Sequence, residues 1–175
     1  MKISIIGYSG SGKSTLAQKL GERLSLPVLH QDSVHWLPGW RERDPAESDR
    51  IVNAFLDAHP EGWIIDGNYR KMAYARRMAE ADLIVCLEFS RAVCLVRVLK
   101  RWLSNRGRTR PDMGEGCDEK VDLAFIRWIL RDGRSPAIRQ RRQALREQYP
   151  EKYVLLKNQK QVDGFLQRFD LRGNQ

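Results

Sequence analysis

Apolar positions along the chain follow two patterns: short continuous runs, and longer stretches spaced by three or four residues. Lys2–Ile6 is a continuous run and predicts a buried strand. Lys13–Leu24 carries Leu16, Leu20 and Leu24 at helical spacing. Pro27–His30 predicts a second strand, Trp63–Ile65 a third that ends at Asp66-Gly67, Leu83–Phe89 a fourth and Tyr153–Leu156 a fifth. Helices are predicted over Pro45–Ala58, Arg70–Glu80, Arg91–Asn105, Lys120–Arg131, Ala137–Gln148 and Gln161–Phe169. Residues 106–118 are polar and Gly-rich. Continuous apolar strands separated by helices argue for a parallel sheet covered on both faces, hence an α/β fold of three layers.

With 175 residues, the chain is expected to form a single domain over 1–175. The apolar fraction of 42% and charged fraction of 30% are those of a globular protein. No apolar run approaches the ~20 residues of a membrane span, and Met1-Lys2-Ile3-Ser4 runs into a strand pattern with no cleavage signal. Cys86, Cys94 and Cys117 form no CxxC pair, which suits a reducing cytoplasm. The expected setting is cytoplasmic, as a monomer or homodimer.

Gly7-Tyr8-Ser9-Gly10-Ser11-Gly12-Lys13-Ser14 matches the phosphate-binding pattern G-x-x-x-x-G-K-[ST] between a buried strand and an amphipathic helix. Such a loop curls so that successive N–H groups cradle a phosphate, while the following helix adds its partial positive charge. Lys13 is expected at the β/γ-phosphates of ATP and the Ser14 hydroxyl on Mg²⁺, with Thr15 completing the nucleotide-binding run.

Ligands of open α/β sheets bind beyond the carboxyl ends of the strands. Asp66 ends the third strand there and is the second candidate Mg²⁺ ligand. Asp32 follows the second strand and is placed to take the proton of an acceptor hydroxyl. Trp36, with Pro38 and Trp40, offers an aromatic wall. Asp32, Trp36, Asn68 and Arg70 make up the candidate acceptor set, with residues 33–62 as the acceptor-side segment.

The net charge of +9 is concentrated: residues 91–146 hold 15 Lys/Arg against 6 Asp/Glu. Phosphoryl transfer needs positive charge on the migrating group. Arg97, Lys100 and Arg101 follow the fourth strand at helical spacing. Arg106, Arg108 and Arg110 alternate through the Gly-rich stretch, and Arg127, Arg131 and Arg134 come after it. A hinged, polar, cationic segment predicts a short closing lid over 102–134, open until phosphates neutralise it. Arg101, Arg106, Arg108, Arg110 and Arg131 are the candidate catalytic arginines, beside Lys13 and Asp32.

In this arrangement the chain resembles the nucleoside-monophosphate-kinase branch of P-loop proteins. Within it the chain is similar to a bacterial family labelled DNA topology modulation proteins, related to adenylate kinases. The likeness rests on Gly7–Ser14, on Asp32-Ser33-Val34-His35-Trp36-Leu37-Pro38-Gly39-Trp40 and on Trp63-Ile64-Ile65-Asp66-Gly67-Asn68-Tyr69. It implies that Arg97 stacks on adenine and that Arg101, four residues on, holds phosphates. Asp32 is also similar to the acids that shikimate and gluconate kinases place after strand two. Lys157-Asn158-Gln159-Lys160 lacks the N-K-x-D of guanine recognition, which favours ATP.

These readings converge on a kinase passing the γ-phosphoryl group of Mg-ATP to a small hydroxyl- or phosphate-bearing acceptor, such as a nucleotide or nucleoside. A nucleic-acid-binding regulator switched by ATP is the alternative, carried by the basic block and the family label. The block's few aromatics, Trp102, Phe125 and Trp128, weigh against it.

Overall fold

The apolar runs enter one sheet. A computed structural model describes residues 1–105, 112–114 and 116–170. The chain begins with β1 (Lys2–Gly7), α1 (Lys13–Leu24), β2 (Val28–His30), α2 (Gln31–His35), β3 (Trp36–Leu37) and β4 (Arg41–Glu42). It continues through α3 (Pro45–Ala58), β5 (Trp63–Asp66), α4 (Tyr74–Glu80), β6 (Leu83–Leu87) and α5 (Arg91–Ser104). The described remainder holds α6 (Leu123–Leu130), a 3₁₀ turn (Asp132–Arg134), α7 (Pro136–Gln148), β7 (Tyr153–Leu156) and α8 (Gln159–Asp170).

The sheet is parallel with the order β2-β5-β1-β6-β7. The phosphate-loop strand β1 is therefore central. Ile3, Ile5, Leu16, Leu20, Val85, Phe165 and Phe169 fill one apolar layer, and Val52, Leu56, Trp63, Ile65, Met78 and Leu145 fill the other. Burial on both faces explains why the strands read as unbroken apolar runs rather than alternations. The three-layer α/β architecture expected from the sequence is the one observed.

Several boundaries differ for local reasons. The helix expected over Arg70–Glu80 starts at Tyr74. Ala73 before it is left-handed, with φ of 48°, and its N–H donates to Asp49 Oδ1 at 2.6 Å. The helix expected from Lys120 starts at Leu123, because Asp122 caps it by accepting from the Phe125 N–H at 2.8 Å. Neither α2 nor the β3–β4 hairpin was expected; five- and two-residue elements carry no readable period. All three cysteines are free and buried. No helix among the described residues is long and apolar enough to cross a membrane.

Candidate active site

Strand β1 delivers the phosphate loop to the carboxyl end of the sheet. Gly10 has φ of +75°, and a Cβ there would stand 2.6 Å from the Cys94 carbonyl oxygen, so only glycine fits this turn. Helix α1 begins with no side-chain cap, leaving its first N–H groups for an anion. Lys13 Nζ donates to the Tyr8 carbonyl at 3.2 Å. Burial pushes its pKa down, against the upward pull of the Asp32 and Asp66 carboxylates. Asn68 clamps the base of the loop: its Oδ1 accepts from the Gly7 N–H at 3.1 Å and its Nδ2 donates to the Gly7 carbonyl at 2.7 Å. Its amide thus serves the loop itself, not only the acceptor side where it was expected.

Asp66, only 3% exposed, receives two bonds. Ser14 Oγ donates to Oδ2 at 2.9 Å, and His30 Nδ1 meets Oδ1. The β2–β5 register sets His30 opposite Asp66. Burial disfavours the His30 cation. The Asp66 hydrogen bond and the charges of Asp66, Asp112 and Asp32 outweigh burial and raise its pKa. The sequence offered no reason to assign His30, since only strand register creates this pair. The Ser14 hydroxyl and Asp66 carboxylate are hard oxygens side by side, which fits Mg²⁺ held by few protein ligands and several waters. Among the described residues no cluster of three or more His, Cys, Asp or Glu could form an all-protein metal cage.

Asp32 lies in the first turn of α2 and accepts from the Tyr69 hydroxyl at 2.7 Å. Burial first, then the Asp32 charge and bond, push the Tyr69 pKa far up, so this phenol remains a donor. Burial also lowers the His35 pKa, with Glu42 and Asp32 opposing. Behind this layer the Arg77 guanidinium is fully buried, donating to Ser4 Oγ at 3.3 Å and to the Tyr69 carbonyl at 3.5 Å. Burial pushes its pKa down to about 10.

A cavity of about 670 Å³ opens over these groups, within the usual ~300–1,000 Å³ of small-molecule sites. Lys13, Ser14 and Asp32 line it together with Trp36, Asn68 and Arg70, so the sequence-derived acceptor set does converge there. A second cavity of about 390 Å³ flanks the loop and is lined by Gly10–Leu16, Arg97, Arg101 and Gln159. Arg97 lies over the Phe89 ring at 4.3 Å and donates to the Ser11 carbonyl at 2.8 Å and to Gln159 Oε1 at 2.7 Å. Arg101 lines both cavities, with its guanidinium on the buried Glu119 at 2.8 and 2.9 Å. Thr15 is exposed on the rim of the second cavity.

Arg131 departs from expectation. Helix α6 ends at Leu130, and Arg131 stands exposed beyond it, lining none of the cavities described. Arg106, Arg108 and Arg110 lie outside the described residues. Two arginines not assigned to the loop do reach it: Arg134 and Arg142 lie over the Tyr8 ring at 3.6 and 3.8 Å. Arg142 is held by Glu88 at 3.3 Å. Trp128 Nε1 donates to Ser9 Oγ at 3.2 Å, bringing α6 onto the loop.

The described residues 112–114 and 116–118 of the expected lid region pack beside the β3–β4 hairpin. Met113, Gly114 and Cys117 are buried, Gly114 beside the Trp36 carbonyl and Cys117 on the Leu37 carbonyl. Gly39 N–H donates to the Gly116 carbonyl at 3.1 Å, Trp40 Nε1 to the Asp118 carbonyl at 3.1 Å, and Cys117 Sγ to the Leu37 carbonyl at 3.3 Å. One backbone bond and two side-chain donors to backbone carbonyls, which no apolar pattern announces, tie this segment to residues 37–40.

Known structures bear on the fold. The chain is similar to shikimate kinase from Acinetobacter baumannii in complex with shikimate, with a TM-score of 0.60 at 17% identity over 99% of this chain and 94% of that one. It is similar to a gluconokinase from Sinorhizobium meliloti 1021, with a TM-score of 0.50 at 19% identity over 98% of this chain and 94% of that one. At these identities the likeness establishes a shared P-loop, nucleoside-monophosphate-kinase-like fold. No protein-family model matches the chain, and no curated protein matches it.

Proposed function

We propose that the chain is a kinase that transfers the γ-phosphoryl group of Mg-ATP to a small acceptor. The observation that carries this reading is the Ser14–Asp66 pair beside Lys13, with Asp32 facing the same cavity. The phosphate loop and the bare start of α1 bind the β- and γ-phosphates, and Lys13 gains an anionic partner for its buried ammonium. Ser14 and Asp66 would hold Mg²⁺, which supplies charge neutralisation on the phosphate oxygens when bound. Arg97 and Gln159 flank the nucleotide's far end.

Asp32 orients the acceptor hydroxyl and takes its proton, while Tyr69 fixes the carboxylate. Arg101, and the lid arginines Arg106, Arg108 and Arg110 in the sequence reading, supply positive charge for the migrating group. Kinship with shikimate kinase and gluconokinase structures supports a small-molecule acceptor. A cytoplasmic setting and membership of the DNA topology modulation family rest on the sequence reading alone. Calorimetry with Mg-ATP, followed by ADP release across nucleosides, nucleotides, sugars and small acids, tests the proposal. No ATP binding, or no acceptor-stimulated ADP release, would refute it.

One observation favours the second reading, an ATP-switched nucleic-acid binder: Arg127, Arg131, Arg139, Arg141 and Arg146 are all exposed on or beside α6 and α7. Duplex affinity that falls steeply with salt and changes with ATP would support it.

A further inference from the structure

We infer that the acceptor is a flat-ringed alcohol: a compound presenting an unsaturated ring to an aromatic box, with a hydroxyl directed at Asp32. This rests on the kinase reading and goes further, because the walls of the larger cavity specify a chemistry. Trp36, Trp40, Tyr69, Phe125 and Trp128 line it, contributed by three separate parts of the chain. Trp36 and Trp40 meet edge to face at 5.4 Å and 66°, forming a corner. His35 braces that corner, packing on Trp36 at 4.6 Å and on Tyr69 at 4.5 Å.

The polar atoms of three of these aromatics are already used. Trp40 Nε1 is bonded to the Asp118 carbonyl, Trp128 Nε1 to Ser9 Oγ, and the Tyr69 hydroxyl to Asp32. What these three residues offer a ligand is therefore ring surface rather than hydrogen-bond donors. Three of the cations that line the box are engaged as well. Arg101 is on Glu119, Lys120 lies 5.0 Å over the Trp40 ring, and Lys13 faces the phosphate loop. Asp122 caps α6. A polyhydroxy acid is recognised by donors on every side, whereas Trp36, Trp40, Tyr69, Phe125 and Trp128 give this box walls of ring surface. An ammonium alcohol suits aromatic cages in general, but Lys120 already occupies the Trp40 ring, and Lys13, Arg70 and Arg101 also line the cavity.

The step balances with ATP as the only co-reactant. The acceptor's hydroxyl oxygen forms a bond to the γ-phosphorus as the bond from that phosphorus to the β,γ-bridging oxygen breaks. ADP leaves with the electron pair, and the hydroxyl proton passes to Asp32.

The test uses the full chain with Mg-ATP and four probes: uridine and pyridoxine as ring alcohols, gluconate as a polyhydroxy acid, and choline as an ammonium alcohol. Tryptophan fluorescence and ADP release are read together, since three of the five tryptophans line the box. At least one ring alcohol should quench fluorescence and stimulate ADP release, with gluconate and choline doing neither. Trp36→Leu should raise the KM for that ring alcohol on the order of tenfold, as loss of one stacking surface does, and Trp36→Phe should recover most of it. Stimulation by gluconate or choline but by no ring alcohol overturns this inference and leaves the kinase reading standing. So does an unchanged KM in Trp36→Leu. Quenching by a ring alcohol with no ADP release from any acceptor upholds the box and refutes the kinase reading. No quenching and no stimulation by either ring alcohol overturns the inference.

Discussion

Ser14 Oγ donates to Asp66 Oδ2 at 2.9 Å, joining the hydroxyl that opens α1 to the carboxylate that closes β5. Fifty-two residues separate the two, yet the β1–β5 register places both at one end of the sheet. Asp66 is buried and its other oxygen is taken by His30, so it has little freedom to turn elsewhere.

That pair makes metal dependence the first expectation. ATP turnover should stop in EDTA and return with added Mg²⁺. Asp66→Asn should raise the Mg²⁺ concentration for half-maximal turnover on the order of tenfold or more. Lys13→Ala should cut turnover by roughly 10²-fold, the cost of losing one charged donor at the transferring group. A Mg²⁺ titration for Asp66→Asn that overlays the parent's would remove Asp66 from the metal site.

Asp32 and Tyr69 should separate in kinetics. Asp32→Asn keeps the shape but loses the base, so turnover should fall by about 10²–10⁴-fold with ATP affinity nearly unchanged. Tyr69→Phe removes only the 2.7 Å bond that orients the carboxylate and should cost about tenfold. Equal losses in the two variants would mean that Asp32 acts through structure alone.

Gly114 lies against the β3–β4 hairpin, in the segment expected to act as a lid. A Cβ there would stand 2.2 Å from the Trp36 carbonyl oxygen, which is backbone and cannot swing away. Gly114→Ala should therefore unseat the 112–118 segment at a cost of roughly 1–3 kcal/mol. Hydrogen exchange should speed up in 112–118 and in 36–42 but not in β1 or β6. Acceptor-stimulated turnover should fall while ATP binding persists. Unchanged exchange in both segments would show that the seating tolerates the methyl group.

Glu80 gives a pH-dependent stability term away from the site. Arg76 bonds it at 2.7 Å and Lys2 at 3.3 Å, and the Arg76 bond, ahead of the opposing effect of burial, holds its carboxyl below the ordinary value of about 4.5. A depressed folded-state value stabilises above the unfolded one and is lost as pH falls through the folded one. Glu80→Gln should thus cost about 0.5 kcal/mol at pH 7, as expected for a partly exposed pair. The difference from the parent should shrink in denaturant melts as the pH is lowered from 7 to 3. A difference that is as large at pH 3 as at pH 7 would assign the loss to packing instead.

The sequence by itself determined whatever depends on neighbours along the chain. Eight contiguous residues state the phosphate loop, and unbroken apolar runs state strands buried on both faces. Three-to-four spacing gave Lys13–Leu24 and Pro45–Ala58 their observed limits. Helix starts were less legible where a distant side chain sets them, as Asp49 does before Tyr74. Only the tertiary structure decided which groups meet. His30 joins Asp66 because β2 pairs with β5 in one register. Arg101 finds Glu119, and Trp128 reaches Ser9 across 119 residues. Arg131 lies beyond the end of α6, exposed and outside the cavities described. The physical reason is that local conformation follows from propensity and period, which act over a few residues. Long-range partners are chosen collectively by sheet register and core packing, and a period along the chain carries no record of that choice.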